Sequence, residues 1–347
     1  MKTIPLGRTD ITVTDWCLGT MTFGNQTPQD DAHRQIDMAL DAGLNFMDCA
    51  EMYPVNPVTK ETAGRSEEFL GAWFAKSGRR ADWVLATKAA GPNPGFVRDG
   101  AGYTGANIED CIDASLTRLK TDMIDLYQLH WPTRGTWAFR NNWTYDPSGQ
   151  DRAQSVDHMH DVLAGLGRAV KAGKIRAVGL SNETAWGTVK WCDLAEEHGL
   201  PRMATIQNEY SLLCRIMDTD MAETMHHEDV TLLSFSPLAA GLLTGKYQDG
   251  AVPKGSRMDL NGNLGGRKSE RVFDVVQVYL DIAARHDLSP VHMAMAWQAT
   301  RPFAVSAIFG ATTADQLEHI LAGRDVTLSE DVLQEIEAAH KAHPLPY

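Results

Sequence analysis

The chain has 347 residues, 43% hydrophobic and 22% charged, with a formal charge of -13 at pH 7. That composition suits a folded globular chain and disfavours a nucleic-acid or anionic-membrane surface, so an anionic cofactor would need a local basic site. No apolar stretch approaches the roughly 18 residues of a membrane span, the N-terminus MKTIPLGRTDITV lacks a secretion-signal core, and five scattered cysteines without a CxxC pair predict free thiols in the cytoplasm.

Taken in chain order, the turn-rich segment Leu6 to Asp10 between apolar stretches predicts a β-hairpin that plugs a barrel floor. Eight short β-branched or apolar runs follow: 15–19, 44–48, 83–88, 124–130, 175–181, 203–207, 230–235 and 305–309. Helical stripes lie between them, among them Ile36, Ala39 and Leu40, then Ile108, Cys111, Ile112, Leu116 and Leu119, then Val162, Leu163, Leu166 and Val170. Gly43, Gly173 and Gly199 stand where helices end ahead of strands. Alternating βα units with apolar strands predict an α/β fold, a closed (β/α)8 TIM barrel forming one domain over residues 1–347. A doubly wound open sheet is the alternative, but neither GxGxxG nor GxxxxGK[ST] occurs. Two long irregular segments, 131–154 and 249–270, are expected at the C-terminal rim, where function gathers. The glycine run from Gly262 to Gly266 suits a lid.

Four reactive groups fall at or just after the ends of apolar runs: Asp48 after LNFM, Tyr53 beyond it, Lys88 after VLAT, and His130 after IDLYQL. An acid, a phenol, an amine and an imidazole so delivered predict one assembled site. A free phenol titrates near about 10, and a buried ammonium held by a carboxylate is expected to lower that value. His130 has two other readings, a core histidine or a metal ligand. There is no HExxH, and His158, His160, His226 and His227 sit on helical stretches, so no catalytic metal is expected.

The blocks LNFMDCAEMYP, LATKAAGP, DLYQLHWP, IRAVGLSNET, TIQNEYSLL, LLSFSPLAAGLLTGKY and IFGATTADQLE resemble, in order and spacing, those of the aldo-keto reductases. The AEMYP and QLHWP wording is most similar to the bacterial Tas-like branch, and the potassium-channel β subunits are more distant. The resemblance implies a barrel that reduces aldehydes or ketones with a nicotinamide cofactor, NADPH in most members and NADH in some. It implies that Tyr53 donates a proton to the carbonyl oxygen, Lys88 paired with Asp48 tunes Tyr53, and His130 orients the carbonyl. Cofactor contacts are implied for Gly19, Thr20, Met21 and Asp48; for Ser181, Asn182 and Gln207 on the carboxamide; and for Phe235 beneath the nicotinamide ring. Ser236, Pro237, Leu238, Ala240 and Gly241 wrap the pyrophosphate in relatives, and Lys246 and Arg257 would add positive charge, unless they form only a solvated basic loop. Gly310, Thr312 and Gln316 match the segment that holds the adenosine 2′-phosphate. Here the chain departs from strict NADPH enzymes, which place Lys and Arg in this block; it carries His319 and Ile320 where Glu-Asn is common.

A substrate pocket is expected from Phe23, Tyr53, His130 and Trp131, with Met21, Trp137, Phe139 and Trp143 as further apolar candidates or loop packing. The expected partner is a small-molecule carbonyl, with no nucleic acid and no membrane. A nicotinamide-nucleotide-sensing binding subunit with slow residual reductase activity is the alternative function.

Overall fold

Two short antiparallel strands, β1 (Thr3–Pro5) and β2 (Thr12–Thr14), open the chain. Eight parallel strands then close on themselves in the computed structural model, which describes residues 1–347. They are β3 (Trp16–Gly19), β4 (Phe46–Asp48), β5 (Val84–Ala89), β6 (Ile124–Leu129), β7 (Ile175–Ser181), β8 (Met203–Glu209), β9 (Thr231–Phe235) and β10 (Val305–Phe309), with β10 returning to pair with β3. The helices α1 (Gln29–Asp41), α2 (Arg65–Ser77), α3 (Ile108–Leu119), α4 (Arg152–Lys171), α5 (Ala185–His198) and α6 (Asp220–Glu228) each connect successive strands. Between β9 and β10 run α7 (Arg257–Leu260), α8 (Val272–Arg285) and α9 (Pro290–Gln298); α10 (Ala314–Leu321) and α11 (Glu330–Ala342) complete the ring. The fold is a (β/α)8 TIM barrel with an N-terminal hairpin. No helix is long and apolar enough to cross a membrane, and all five cysteines are free and buried.

Strand periodicity explains how the site is built. Inward residues alternate, and one apolar cluster inside the barrel joins Cys17, Phe46, Ala86, Leu126, Ala177, Ala204, Leu233 and Ile308 to Leu6, Ile11 and Val13 of the hairpin. Gly7 makes this plug possible: its φ is +53°, and a Cβ there would lie 2.7 Å from the Ala204 carbonyl oxygen. Two positions beyond Phe46, Ala86 and Leu126, the same face carries Asp48, Lys88 and Gln128. A polar layer therefore sits directly above an apolar floor. The larger core lies outside the barrel, between strands and helices.

The strand ends differ from the sequence expectation in informative ways. β8 runs past Gln207 to Glu209, which pairs in the ladder with Phe235. A carboxylate is tolerated at that strand end because Arg140 and Arg267 both contact it. His130 lies one residue beyond β6, yet its N–H still donates to the Ala89 carbonyl at 2.9 Å. The second strand begins at Phe46 rather than Leu44, since the Asn45 side chain is engaged with Thr14 and Thr12 of the hairpin.

Candidate active site

Lys88 is fully buried at the C-terminal end of β5. Its Nζ donates to Asp48 Oδ2 at 2.6 Å and to the Cys49 carbonyl at 2.7 Å, and lies 3.3 Å from Tyr53 Oη. Three acceptors thus surround one ammonium. Tyr53 sits in the turn after β4, and its own carbonyl accepts the Gly64 N–H at 3.1 Å, which ties the turn to the start of α2. The His130 ring meets the Tyr53 ring edge-on, with centroids 5.7 Å apart. The Asn182 amide fixes that corner by donating to the His130 carbonyl at 2.9 Å. The four groups expected to converge do so.

Electrostatics change one expectation. Burial pushes the Tyr53 phenol above its ordinary value; Lys88 pulls it down, Asp48 and Cys49 push it further up, and the upward direction prevails. The expected net lowering by Lys88 is therefore not seen: removing a phenolate from water costs more than the neighbouring ammonium returns. At neutral pH the phenol keeps its proton. Burial alone would disfavour the Lys88 ammonium, but Asp48 and Tyr53 outweigh it and hold the group charged. Burial, and then the Lys88 charge, holds His130 well below the usual imidazole range, so the ring is neutral. Its Nδ1 is buried without a hydrogen-bond partner.

A cavity of about 1470 Å³ opens above this group at the C-terminal rim. Tyr53, His130 and Trp131 border it. So do Gly19, Met21, Asp48, Ser181, Asn182, Gln207, Phe235, Ser236, Pro237, Leu238, Ala240, Gly241, Lys246, Arg257, Gly310, Thr312 and Gln316. Four expected candidates, Thr20, Phe23, Trp137 and Trp143, do not, and Trp137 packs against the outer core. Thr20 is fully buried and turns its hydroxyl back to the Asp48 carbonyl at 2.9 Å. Phe23 is fully buried in the outer core, where its carbonyl accepts the Ser66 hydroxyl at 2.6 Å; it packs the β3–α1 connection instead of facing substrate space. Trp143 also stays away, 61% exposed to solvent, whereas Phe139 reaches the cavity and meets Trp131 edge-on at 6.0 Å.

Along the cavity, chemistry changes by position. Near the tetrad lie side-chain amides: Asn182 Nδ2 donates to Ser181 Oγ at 3.1 Å, and Gln207 Nε2 donates to Asp48 Oδ1 at 2.8 Å. Beyond β9 the backbone turns left-handed at Ser236, Ala239, Ala240 and Gly241, with φ of 56°, 48°, 58° and 93°. Such turns gather N–H groups into an anion-binding concavity. A Cβ on Gly241 would lie 3.1 Å from Lys246 Nζ, so the amine packs directly against that turn. Lys246 and Arg257 make no ion pair with any carboxylate of the chain. Burial, reinforced by the charge of Arg267, pushes Arg257 down to about 10. An unpaired, partly desolvated guanidinium on the wall of the cavity that this turn also lines suits a phosphate. Further along, Thr313 caps α10 and accepts the Gln316 N–H, while Gln316 Oε1 accepts from the Thr312 N–H and hydroxyl, both at 3.0 Å. His319 borders this end, its ring 4.8 Å from that of His292.

Sequence reasoning missed Gln128, Arg140, Glu209, Arg267 and Tyr347. Arg267 donates to Glu209 Oε1 at 2.9 Å and to Ser236 Oγ at 3.3 Å, and Tyr347 Oη donates to the same carboxylate at 3.2 Å. A signal existed: an acid two places after Gln207 in an apolar run requires a buried cation.

Comparison of the whole chain with known proteins identifies its family. The model of the Aldo/keto reductase family matches residues 16–341. "Protein tas" of Escherichia coli (strain K12) is 44% identical over 335 residues, covering 95% of this chain and 94% of that protein. "Uncharacterized oxidoreductase YrpG" of Bacillus subtilis (strain 168) is 31% identical over 340 residues, 95% and 93% of the two chains. "Probable voltage-gated potassium channel subunit beta" of Arabidopsis thaliana is 29% identical over 349 residues, 98% and 96% of the two chains. The chain belongs to the aldo/keto reductase family of NAD(P)H-using oxidoreductases.

Proposed function

We propose that this oxidoreductase reduces aldehydes or ketones to alcohols with NADPH, and that Tyr53 is the proton donor. The observation that carries this reading is Lys88 Nζ, 2.6 Å from Asp48 Oδ2 and 3.3 Å from Tyr53 Oη, beneath a large cavity. The residues fit the cofactor. Ser181, Asn182 and Gln207 offer amide and hydroxyl partners to a carboxamide, Phe235 an aromatic face, the turn at 236–241 with Lys246 and Arg257 a pyrophosphate site, and the N-terminus of α10 a further anion site. Because NADPH and NADH share the pyrophosphate, the preference for NADPH requires that Lys246 or Arg257 reach the 2′-phosphate as well. The chemistry the nicotinamide supplies when bound is a hydride for the carbonyl carbon.

The chain's residues do the rest. Neutral His130 orients the carbonyl by offering an N–H to its oxygen. Tyr53 transfers its phenolic proton to that oxygen as negative charge develops there. The phenolate left behind lies beside the Lys88 ammonium, which Asp48 holds in place, and is reprotonated from solvent. Burial makes the phenol reluctant to ionise, so Lys88 is needed in the step itself rather than at rest. Met21, Met52, Trp131 and Phe139 on the wall favour an aromatic or medium-chain carbonyl. The whole chain acts as one domain, and its buried free thiols suit the cytoplasm.

The match to proteins named as potassium channel β subunits supports a second reading, a nicotinamide-nucleotide-sensing binding subunit with slow residual turnover. One experiment separates the two. Tyr53→Phe should lower carbonyl reduction by roughly 10²–10⁴-fold while NADPH still quenches tryptophan fluorescence. Near-wild-type turnover in the variant removes Tyr53 as donor; tight NADPH retention with negligible turnover in both proteins favours the sensor.

A further inference from the structure

Gln128 has no part in the proton transfer described above, yet it lies at its centre. It is fully buried on the inner face of β6, in the layer that holds Asp48 and Lys88. Its Nε2 donates to Asp48 Oδ1 at 3.0 Å. Gln207 Nε2 donates to the same Asp48 oxygen at 2.8 Å and to Gln128 Oε1 at 3.0 Å. Asp48 divides its two oxygens accordingly: Oδ2 takes the Lys88 ammonium at 2.6 Å, and Oδ1 takes the two amides.

A primary amide has two N–H groups. Asp48 and Gln128 consume both of those on Gln207, so its orientation is fixed. Gln207 Oε1 accepts no hydrogen bond from the chain, and Gln207 borders the cavity. The cavity is thus presented with a carbonyl acceptor, the partner a carboxamide NH2 requires. An apolar residue at 128 would leave Asp48 one donor short and remove one of the two acceptors that hold the Gln207 NH2, so the amide would be aimed less firmly. The space cannot be refilled from the neighbouring strand, because the inward position there is Gly179, where a Cβ would lie 3.4 Å from Gln128 Cγ and 2.1 Å from Thr205 Oγ1.

We propose that Gln128 is a positioning residue that couples nicotinamide recognition to the proton donor, holding Asp48 for Lys88 with its N–H and aiming Gln207 at the cofactor with its carbonyl. This rests on the reading of the site as a nicotinamide-dependent reductase. The charged groups around the position are Asp48 on β4, bonded to Gln128, and Lys88 on β5, bonded to Asp48, with Tyr53 beyond Lys88 and the Cys17 thiol on β3 within the field of Asp48 and Lys88.

The test uses the full chain and two substitutions. Gln128→Met keeps volume and removes both hydrogen bonds. It should weaken NADPH about tenfold, the equivalent of one lost hydrogen bond, and leave adenosine 2′,5′-bisphosphate, which lacks the nicotinamide, bound as in wild type. At saturating NADPH, kcat should fall at least about tenfold, and the alkaline limb of the pH–rate profile should move downward, because Asp48, less firmly held, raises the Tyr53 phenol and the Lys88 ammonium less. Gln128→Glu is the isosteric check. Its protonated carboxyl still donates to Asp48 and accepts from Gln207, so activity relative to wild type should recover as pH falls and fade as that carboxyl ionises beside Asp48. Equal loss of NADPH and the bisphosphate, an unmoved pH limb in the Met variant, or a flat pH ratio in the Glu variant overturns the proposal while the reductase reading stands. If Gln128→Met does not fold, the Glu ratio decides alone. A wild-type chain that neither binds NADPH nor reduces any carbonyl takes both down together.

Discussion

Arg257→Met separates a site built for a ligand from one built for stability. Burial and Arg267 depress Arg257 to about 10, and no carboxylate of the chain pairs with it. Arginine ordinarily titrates above about 12, and each pH unit of depression corresponds to about 1.36 kcal/mol, so the charged group costs the ligand-free fold at most about 3 kcal/mol. Solvent at the cavity mouth screens the half-buried side chain, which leaves about 1–2 kcal/mol. The sign follows from the direction. The folded state holds the proton less tightly than the unfolded chain, so the charged form opposes folding at neutral pH, and relief comes only as pH rises through about 10. Removing the charge should therefore raise the melting temperature of the ligand-free protein by roughly 2 °C. The same change should weaken NADPH about 10- to 100-fold, because a charge-assisted contact to phosphate contributes about 1.5–3 kcal/mol. Differential scanning fluorimetry with and without NADPH, together with titrations of NADPH and NADH, reads both effects. Adding Lys246→Met tells the phosphates apart: greater loss for NADPH assigns the pair to the 2′-phosphate, equal loss to the pyrophosphate. A ligand-free variant that melts several degrees lower and binds NADPH normally refutes the reasoning and makes Arg257 a packing residue.

Two further substitutions probe the buried charges. Lys88→Met strands the Asp48 carboxylate and should cost about 3–5 kcal/mol by denaturant titration. Any remaining activity should lose its acid at higher pH, since Lys88 is the neighbour that draws the Tyr53 phenol down; an unmoved pH–rate profile counts against their pairing. Glu209→Gln leaves Arg140 and Arg267 facing a neutral amide and should lower stability at neutral pH by about 3 kcal/mol. Burial pushes Glu209 up, but Arg267 and Arg140 override it and hold the carboxyl below its ordinary value. Its stabilisation is thus present above the unfolded value near about 4.3 and lost as pH falls through the folded one. The variant should show a shallower decline of stability in acid, and an unchanged slope would remove Glu209 from the balance.

The barrel was legible because apolar runs and helical stripes alternate without interruption, and because Asp48, Lys88 and His130 interrupt apolar character where each run ends. Side-chain direction in connecting turns was not. Thr20 and Phe23 lie within two residues of Met21 in the turn after the first barrel strand, yet the Asp48 carbonyl claims the Thr20 hydroxyl and the outer core claims the Phe23 ring. Partnerships between distant loops were equally hidden. Glu209 reads as a residue of the loop beyond Gln207 until Arg140, Arg267 and Tyr347 arrive from three other segments. Gln128 reads as a lapse in the run IDLYQL, although a polar residue with the inward phase of Leu126 implies a partner inside the barrel. The sequence expectation about the Tyr53 phenol failed for a different reason. It weighed the charge of Lys88 without the depth of the pocket, and depth is a property of the closed barrel.

With Leu6, Ile11 and Val13 stoppering one end of the barrel, every guest uses a single doorway. The amide corner at Ser181, Asn182 and Gln207 lies inside it, and the phosphate turn lies along the threshold. Under the proposed function a small carbonyl arriving early would sit in the path of a dinucleotide, and NADPH is then expected to bind before it. The strap carrying α7 reaches across that threshold, where the Asn261 amide donates to Asn56 Oδ1 at 3.4 Å. The same strap is anchored at its far end by Arg267 on Glu209 at 2.9 Å, so it is fastened loosely at Asn261 and firmly at Arg267.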